Sequence, residues 1–585
     1  MKKHYETHVE DTDKLISVAG PVLDYKSWYE QYRKLMEEQA QRKYGLYTPT
    51  SEGDGDDFPS ISGMIARYSA LGLTNEQMAE NPVWKDPTGN GHDLQMKNFA
   101  WKGMSGVGGY VADIDEWGTN TTAAYFERNS IKITATLKEN ISLGLLYHNI
   151  KLRQSCVLKI TGIPEGCDAF LDDRLGNRFY MSKDGVYEII PSNFLAETLY
   201  LSIEKYPERW YGSKLTIEQL PLYPGALVFD GVDDYGTCDN FPILTKEKGY
   251  TVVALRQWIS MGEGISGLVS NVKNWFNDGA FCLEYNSNNA TNKFVNRPVS
   301  FGNVNIEMDL PNNFTYQTSK SYKGVPITTG SFKGTNSLFV GKLNNIVGNY
   351  SNVAIWELVF LDHDATEEEL TKIKDYFVKT YPWLFPDQAY TVTGKTNEDE
   401  DRATIANITG NGNDLILSNF GFAEGSGYNE EGEYAGYLVT DGVDDGIISA
   451  KSIQFADKFT IVGDWKFMED RYDNAGLLKS NQIYIYNART GMRIYLKQGS
   501  KNYLFSCKKI NALTSDGWVY DEKWDKYKVY PIGSDIDVVN RLFLGYYGSN
   551  FTKIALKNLG IYNNQLLSKD DCIKAYNYLQ TLKAK

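Results

Sequence analysis

The sequence is poor in the residues that build metal and redox sites. Its 585 residues include six cysteines and five histidines. Neither set contains a CxxC pair or another spacing typical of metal ligands, so a zinc centre is not expected. Cys156 and Cys167 are near enough in sequence to pair in a disulfide, and a scattered set of reduced thiols is the alternative.

Positive charge and long apolar runs are also scarce. Lysine and arginine number 60 against 74 acidic residues, a formal net charge of −14, whereas nucleic-acid binding needs a cationic face. No segment approaches the roughly 18 apolar residues that cross a bilayer. The opening MKKHYETHVEDTDKL lacks the apolar stretch of a signal peptide. We therefore expect no nucleic-acid partner, no membrane insertion, no signal peptide and synthesis in a host cytoplasm.

Aromatic residues are abundant. They make up 14% of the chain, with 41 tyrosines and 12 tryptophans, and they occur alongside 52 glycines. Aromatic and β-branched runs separated by glycine turns are typical of strands, so the composition indicates a mainly β fold.

Four segments occur twice in the same order, which indicates one domain written twice. The pairs are Asp86–Trp101 (DPTGNGHDLQMKNFAW) with Asn407–Phe422 (NITGNGNDLILSNFGF), Phe229–Asp234 (FDGVDD) with Thr440–Asp445 (TDGVDD), Leu338–Gly341 (LFVG) with Leu542–Gly545 (LFLG), and Thr366–Phe377 with Ser568–Leu579.

The spacing of these pairs locates an insertion. The offset is 407 − 86 = 321 for the first pair and 440 − 229 = 211 for the second, so the first copy carries 321 − 211 = 110 additional residues. Short β-branched runs with glycine turns predict a small β-domain there. The predicted organisation is an N-terminal helical arm with an acidic linker at 1–60, a first domain at 61–119 plus 222–386, the insert at 120–221, and a second copy at 387–585.

Each copy is predicted to end in a capped helix. Thr366 and Glu369 form a capping box in the first copy, and Ser568 and Asp571 hold the matching positions in the second. Another amphipathic helix, capped by Ser27, is predicted in the arm. It either packs on the first domain or serves in docking and oligomerisation.

The repeated segments, with ALVFDGVDDYGT and TVVALRQWIS of the first copy, resemble LamG-like, concanavalin A-like jelly-roll domains. The order of the parts resembles virion fibre proteins of Bacteroides-infecting phages, including crAss-like phages. The resemblance implies two jelly-roll sandwiches, each with two antiparallel sheets packed face to face, and a tendency to bind carbohydrate. It does not fix the function, because this fold serves in lectins, enzymes and structural modules.

The repeated Asp-Gly-Val-Asp-Asp segment has two interpretations. It predicts a tight turn in which aspartates accept hydrogen bonds from backbone amides. It also offers hard oxygen ligands for calcium, which some LamG-like domains bind. The candidate ligands are Asp230, Asp233 and Asp234, and Asp441, Asp444 and Asp445.

Tryptophans in polar loops are candidates for sugar contact, since a ring covers the C–H face of a sugar while amides bind its hydroxyls. The candidates are Trp275, Asn271, Asn274, Trp518 and Trp524. The alternative is that these rings are tucked into a sandwich edge or a subunit interface.

Catalytic patterns are weak. Glycoside hydrolysis needs two carboxylates across the sugar. Glu307 and Asp309 share a strand face, but Pro311 replaces a third acid. No catalytic residue and no cofactor other than calcium is therefore predicted.

These features favour a non-enzymatic phage virion fibre or appendage, on tail or head. We expect it to bind other virion proteins through its arm, to contact a host surface glycan and to form a dimer or trimer. The alternatives are a structural capsid or tail component without glycan binding, a polysaccharide depolymerase that depends on Glu307, and a bacterial surface lectin.

Overall fold

The structure is a computed structural model and describes residues 58–585, apart from 113, 140–143, 153–154, 190–193, 246, 261–264, 273–280, 288–294, 297–305, 308–312, 327–334, 344–349, 433, 454–458, 469–474, 480–482, 489–490, 497–502, 509–528, 532–540, 548–549, 564, 566 and 585. The predicted helix of the arm lies outside the described residues. Within the part that is described, no helix is long and apolar enough to span a bilayer.

The first copy and its insert contain 26 strands in chain order. The first part holds β1 (Met64–Ser69), α1 (Asn75–Glu80), β2 (Val83–Trp84), β3 (Leu94–Lys97) and β4 (Gly106–Val107). The next holds β5 (Gly118–Thr119), β6 (Ala124–Arg128), β7 (Lys132–Leu137), β8 (Leu145–Lys151), β9 (Cys156–Thr161), β10 (Asp168–Asp172), β11 (Arg178–Met181), β12 (Gly185–Ile189), β13 (Thr198–Glu204), α2 (Pro207–Trp210) and β14 (Lys214–Gln219). The last holds β15 (Leu227–Asp230), β16 (Tyr235–Cys238), β17 (Thr251–Ser260), β18 (Ile265–Ser270), β19 (Cys282–Ser287), β20 (Val295–Asn296), β21 (Ile306–Glu307), β22 (Phe314–Thr318), β23 (Ser321–Tyr322), β24 (Val325–Pro326), β25 (Leu338–Val340), β26 (Asn352–Leu361) and α3 (Glu367–Thr380).

A 3₁₀ turn at Pro382–Leu384 leads into the second copy. That copy holds β27 (Gln388–Thr391), β28 (Thr404–Ile405), β29 (Leu415–Ser418), β30 (Gly427–Asn429), β31 (Tyr437–Val439), β32 (Gly446–Ser452), β33 (Phe459–Phe467), β34 (Ala475–Lys479), β35 (Ile483–Ala488), β36 (Gly491–Leu496), β37 (Tyr503–Lys508), β38 (Val529–Pro531), β39 (Arg541–Leu544), β40 (Tyr546–Tyr547), β41 (Asn550–Phe551), β42 (Ile554–Asn563) and α4 (Lys569–Gln580).

The two copies share one sheet topology, and the predicted mainly β jelly-roll fold is confirmed. In the first copy one sheet has the order β24-β23-β22-β17-β26-β15-β4, with β1 also paired to β26, and the other has β19-β18-β25-β16-β3-β2. The second copy has β37-β33-β42-β31-β30 with β27 on β42, and β28-β29-β32-β39-β34-β35-β36-β38. One difference is at the edge: β22 runs antiparallel to β17, whereas β37 runs parallel to β33.

The insert forms its own sheets. Its strands pair in the orders β11-β10-β13-β8-β5 and β12-β9-β14-β7-β6. Alternating burial along β7 and β14 places one side of each strand in a separate apolar core that contains Ile133, Leu215 and Ile217. Cys156 and Cys167 are buried and both remain thiols, so no disulfide joins them.

Strand β17 is buried on both faces. Val252 and Ala254 face the core between the two sheets of the first jelly roll, and Val253 and Leu255 face a second apolar cluster outside it. Helix α3 covers that outer face with Ile373 and Phe377. The predicted capping box of Thr366 and Glu369 is confirmed, and Ser568 Oγ accepts the Asp571 amide in α4.

A buried ionic network joins the two sheets of the first jelly roll. Glu284 of β19 accepts Arg256 Nε at 2.6 Å, the Tyr322 hydroxyl at 2.6 Å, Thr315 Oγ1 at 2.9 Å and Trp258 Nε1 at 3.2 Å. Burial favours a neutral carboxyl, but the Arg256 charge and these donors outweigh it and lower the pKa of Glu284 to about 2. The carboxylate is therefore ionised and fully satisfied inside the sandwich.

Candidate functional site

The two jelly rolls are joined through a short connection clamped from both sides. Tyr562 of the second copy donates its hydroxyl to the Trp383 carbonyl at 2.8 Å. Asn313 of the first copy donates Nδ2 to the Leu384 carbonyl and to the Tyr578 hydroxyl, each at 2.9 Å. One apolar cluster runs from the first copy through this connection into the second. The junction is therefore packed like a core, not like a flexible linker.

A cleft of about 640 Å³ opens beside this junction. Its walls come from β22 and α3 of the first copy, from the connection, and from the TGNG turn and the last helix of the second copy. The lining residues are Asn313, Phe314, Tyr316, Lys323, Glu367, Leu370, Thr371, Lys374, Val378, Leu384, Phe385, Pro386, Asp387, Thr409, Asn411, Gln565 and Tyr578.

Aromatic rings form part of the cleft wall. Phe314 and Tyr316 alternate with buried Thr315 along β22, so both rings leave the strand on the cleft side, with centroids 6.0 Å apart. Phe385 of the connection is also half-buried in the lining. Partly exposed rings held by a strand and a packed connection offer flat apolar surfaces of fixed position.

Amides provide the polar part of the lining. Asn313 Oδ1 and Gln565 Oε1 are buried and have no hydrogen-bond partner among the described residues. Thr409 and Asn411 come from the TGNG turn of the second copy, where Asn411 Nδ2 donates to the Asp387 carbonyl at 3.0 Å. Buried polar groups without partners are uncommon in native proteins, and two in one cleft point to a polar ligand or bound water there.

The charges of the lining balance. Lys323 and Lys374 match Glu367 and Asp387 in number, and the described lining carries no excess of either sign. Burial raises the pKa of Asp387, although the Asn563 amide donates to its Oδ2 at 2.6 Å. The cleft is therefore suited to a polar, weakly charged ligand more than to a polyanion.

Most of the predicted sugar contacts cannot be placed. Trp275, Asn274, Trp518 and Trp524 lie outside the described residues, as does Asp309. Asn271 is 1% exposed, and its Oδ1 accepts the Phe281 amide at 2.6 Å. Glu307 lies in the two-residue strand β21. Sugar contact by this set stays a prediction.

The repeated aspartate turns have the same hydrogen bonds in both copies. Asp230 Oδ1 accepts the Val232 amide at 2.8 Å, and Asp441 Oδ1 accepts the Val443 amide at 2.7 Å. Gly231 and Gly442 have φ of +78° and +75°, a conformation that strongly favours glycine. The turn interpretation therefore explains why the segment is repeated.

The last aspartate of each turn is anchored from two sides. Asp234 accepts the Asp230 amide and the Ser105 hydroxyl, each at 3.0 Å. In the second copy Asp445 accepts the Asp441 amide at 2.7 Å and the Ser426 hydroxyl at 3.0 Å. Each turn is thus tied to the loop that follows its TGNG segment.

Calcium binding at these turns stays a prediction. One carboxylate oxygen from each of the three aspartates in a turn lies within 4.8 Å of the others. Several of those oxygens already accept backbone amides and a serine hydroxyl, which accounts for the cluster without an ion. The residues offer hard oxygens that fit calcium only if it shares them with these donors.

The Asp234→Asn substitution is expected to change the pH dependence of stability. Burial, reinforced by Asp230 and Asp233, raises the pKa of Asp234 to about 7 despite the amide and hydroxyl donors. The folded state then binds more protons than the unfolded state between about pH 4 and 7, so the free energy of unfolding falls as pH rises through that window. The substituted amide does not titrate, and it can still accept the Asp230 amide and donate to Ser105 Oγ. The substitution should therefore remove a fall on the order of 1–2 kcal/mol.

Urea unfolding at pH 5 and pH 8 in the presence of EDTA measures this difference. The exposed Asp239→Asn variant serves as the control and should follow the wild-type profile. Parallel profiles for wild type and Asp234→Asn would show that Asp234 does not titrate in this range.

Comparison with protein-family models and with curated proteins returns no match. Among solved structures, Trypanosoma rangeli sialidase with the inhibitor DANA is 9% identical, with a TM-score of 0.18 over 42% of this chain and 61% of that chain. The same sialidase with sialic acid is 10% identical, with a TM-score of 0.18 over 44% of this chain and 62% of that one. A tryptophan-to-alanine mutant of HCR/D is 10% identical, with a TM-score of 0.21 over 59% and 89%. The chain thus spans about three fifths of each sialidase, and similarities this low decide neither fold nor function.

The cleft was not predicted from sequence. Its lining comes from five separate segments, and only Thr409 and Asn411 belong to a motif that the repeat had marked. The other members are ordinary strand, helix and connection residues, and nothing in the sequence indicates that they meet.

Proposed function

We propose that this chain is a non-enzymatic, carbohydrate-binding fibre or appendage protein of a phage particle, and that the cleft between its two jelly rolls contacts host surface polysaccharide. The observation that carries the proposal is the combination, in one cleft, of partly exposed aromatic rings with two buried amide oxygens that lack partners among the described residues.

The lining has the chemistry that sugars require. The rings of Tyr316 and Phe385 offer apolar faces to the C–H side of a sugar ring, and the amides and Thr409 offer partners for its hydroxyls. A volume of about 640 Å³ lies within the range of small-molecule sites, about 300–1,000 Å³. The balanced charges suit a neutral or weakly charged glycan.

The packed junction supports binding by preorganisation. The cleft walls are held by the Tyr562–Trp383 and Asn313–Tyr578 hydrogen bonds and by the apolar cluster beneath them. A site whose walls are fixed before binding loses less conformational entropy when the ligand arrives.

Several copies per particle would multiply weak single-site binding. Linked sites gain from high effective concentration, so avidity exceeds the affinity of one cleft by orders of magnitude. The sequence resemblance supports the assignment to a phage particle, with the arm at 1–60 binding other virion proteins and forming a dimer or trimer. Immunogold labelling of intact particles tests it, because absence of label, with the antibody verified on denatured lysate, would exclude an exposed appendage.

The Tyr316→Ala variant is expected to bind host polysaccharide roughly tenfold more weakly than wild type, because one stacking face is lost. Calorimetric titration of the full chain with oligosaccharides released from the host surface measures the change. Tyr125→Ala in the insert is the matched control, since Tyr125 is 68% exposed and lies on another sheet. Equal affinities for wild type and Tyr316→Ala would place any sugar site elsewhere, and no binding at all would favour a purely structural component.

A further inference from the structure

A lysine of the first jelly roll is buried without an acidic partner among the described residues. Lys342, just after β25, is 5% exposed, and its Nζ lies 4.4 Å from the ring centroid of Tyr235 and 4.9 Å from that of Tyr350. In the part of the chain that the structure describes, no carboxylate lies within 4.0 Å of this Nζ. Two ring faces supply about 0.5–2 kcal/mol each, well below the cost of desolvating an ammonium.

Two more donors stand beside this ammonium. The hydroxyls of Tyr235 and Tyr350 have no hydrogen-bond partner among the residues that the structure describes, and the two rings lie 6.1 Å apart. Three donors without an acceptor, two of them neutral and one charged, fit the oxygens of an anion.

The three residues lie on the free face of their sheet. Along β16, Gly236 and Cys238 face the core, so Tyr235 points away from it. Exposed Lys97 pairs with Tyr235 across β3 and adds a second cation to the same face. Asp233 is near enough to Tyr350 to help raise its pKa, after burial and Tyr235, so one carboxylate borders the group.

The second copy lacks this arrangement. The repeat offsets place Gly446 at the position of Tyr235 and Tyr546 at the position of Lys342. The aspartate turns are shared by both copies, whereas the lysine between two tyrosines belongs to the first alone. A residue set needed only for the fold would be expected in both.

We propose that Lys342, Tyr235 and Tyr350 form a binding site for a single oxyanion: a carboxylate, sulfate or phosphate group, carried by an acidic sugar or free in solution. The ammonium supplies the charge, and the tyrosine hydroxyls donate to two oxygens of the anion. This site is separate from the cleft, and the proposal does not depend on glycan binding there.

Competitive acylation of the full chain with acetic anhydride, read residue by residue by mass spectrometry, tests the proposal. At constant ionic strength, methyl glucuronide, sulfate or inorganic phosphate at about twice its Kd should slow acylation of Lys342 roughly threefold, because two thirds of the sites are then occupied. Exposed Lys372 on α3 is the internal reference and should be unaffected. Methyl glucoside is the neutral control.

The pattern of protection identifies the source of the anion. Slowing by the glucuronide alone indicates an acidic sugar, and equal slowing by phosphate or sulfate indicates that a free anion suffices. Tyr235→Phe and Tyr350→Phe keep both rings and are each expected to weaken protection roughly fivefold. No slowing by any anion, equal slowing at Lys372 or by methyl glucoside, or full protection in both phenylalanine variants would overturn the proposal.

Discussion

The Glu284→Ala substitution is expected to lower the free energy of unfolding of the first jelly roll by about 3–5 kcal/mol. It leaves the Arg256 guanidinium, 2% exposed, without its carboxylate inside the sandwich. It also removes the acceptor of the Tyr322 hydroxyl and of Trp258 Nε1. Unpaired buried donors and an uncompensated buried charge are among the costliest single changes a core can suffer.

Calorimetric unfolding that resolves the separate transitions measures this loss. The double variant Arg256→Met with Glu284→Leu removes both charges and is expected to unfold near wild type, within about 1–2 kcal/mol. Glu368→Ala on α3 breaks only the exposed pair with Lys372 and should cost about 0.5 kcal/mol. The account of Glu284 would be wrong if the single variant were as stable as the double one.

The Trp383→Ala substitution is expected to separate the unfolding of the two jelly rolls. Trp383 is 3% exposed, its ring meets Tyr381 of the first copy at 5.6 Å, and Lys574 of the second copy lies 4.2 Å over it. Removing a buried tryptophan costs about 3–5 kcal/mol. Because the lost contacts belong to both copies, the loss falls on their junction.

Differential scanning calorimetry should show one shared transition for both jelly rolls in wild type and two in Trp383→Ala. Trp210→Ala is the matched control, since Trp210 is fully buried in the insert and its loss should lower the insert transition without separating the jelly rolls. The junction would not be a coupling element if Trp383→Ala kept a single transition or if Trp210→Ala also split it.

Much of the fold could be predicted because repetition carries structural information. The aspartate turn, the TGNG turn and the capped last helix each recur with the same hydrogen bonds in both copies. A further pair escaped notice: the Tyr68 hydroxyl donates to the His92 carbonyl, and the Tyr390 hydroxyl donates to the Asn413 carbonyl. This pair lies in short, dissimilar segments, where one shared tyrosine gives no detectable repeat.

The cleft could not be predicted for a different physical reason. Periodicity and motifs indicate which residues of one domain face its core, but not how a second copy packs on the first. Trp383 and Tyr562 have the sequence context of ordinary core aromatics, and only the structure brings them together across the junction. The loop tryptophans that sequence reasoning favoured lie outside the described residues, whereas Tyr316 and Phe385 carried no sequence signal.

A crystal structure of the full chain with an oligosaccharide released from host surface polysaccharide tests the central claim most directly. The account predicts a sugar ring against Tyr316, with its hydroxyls bonded to Asn313 or Gln565, in the cleft between the jelly rolls. An oligosaccharide bound elsewhere on the chain, with the cleft empty, would contradict it.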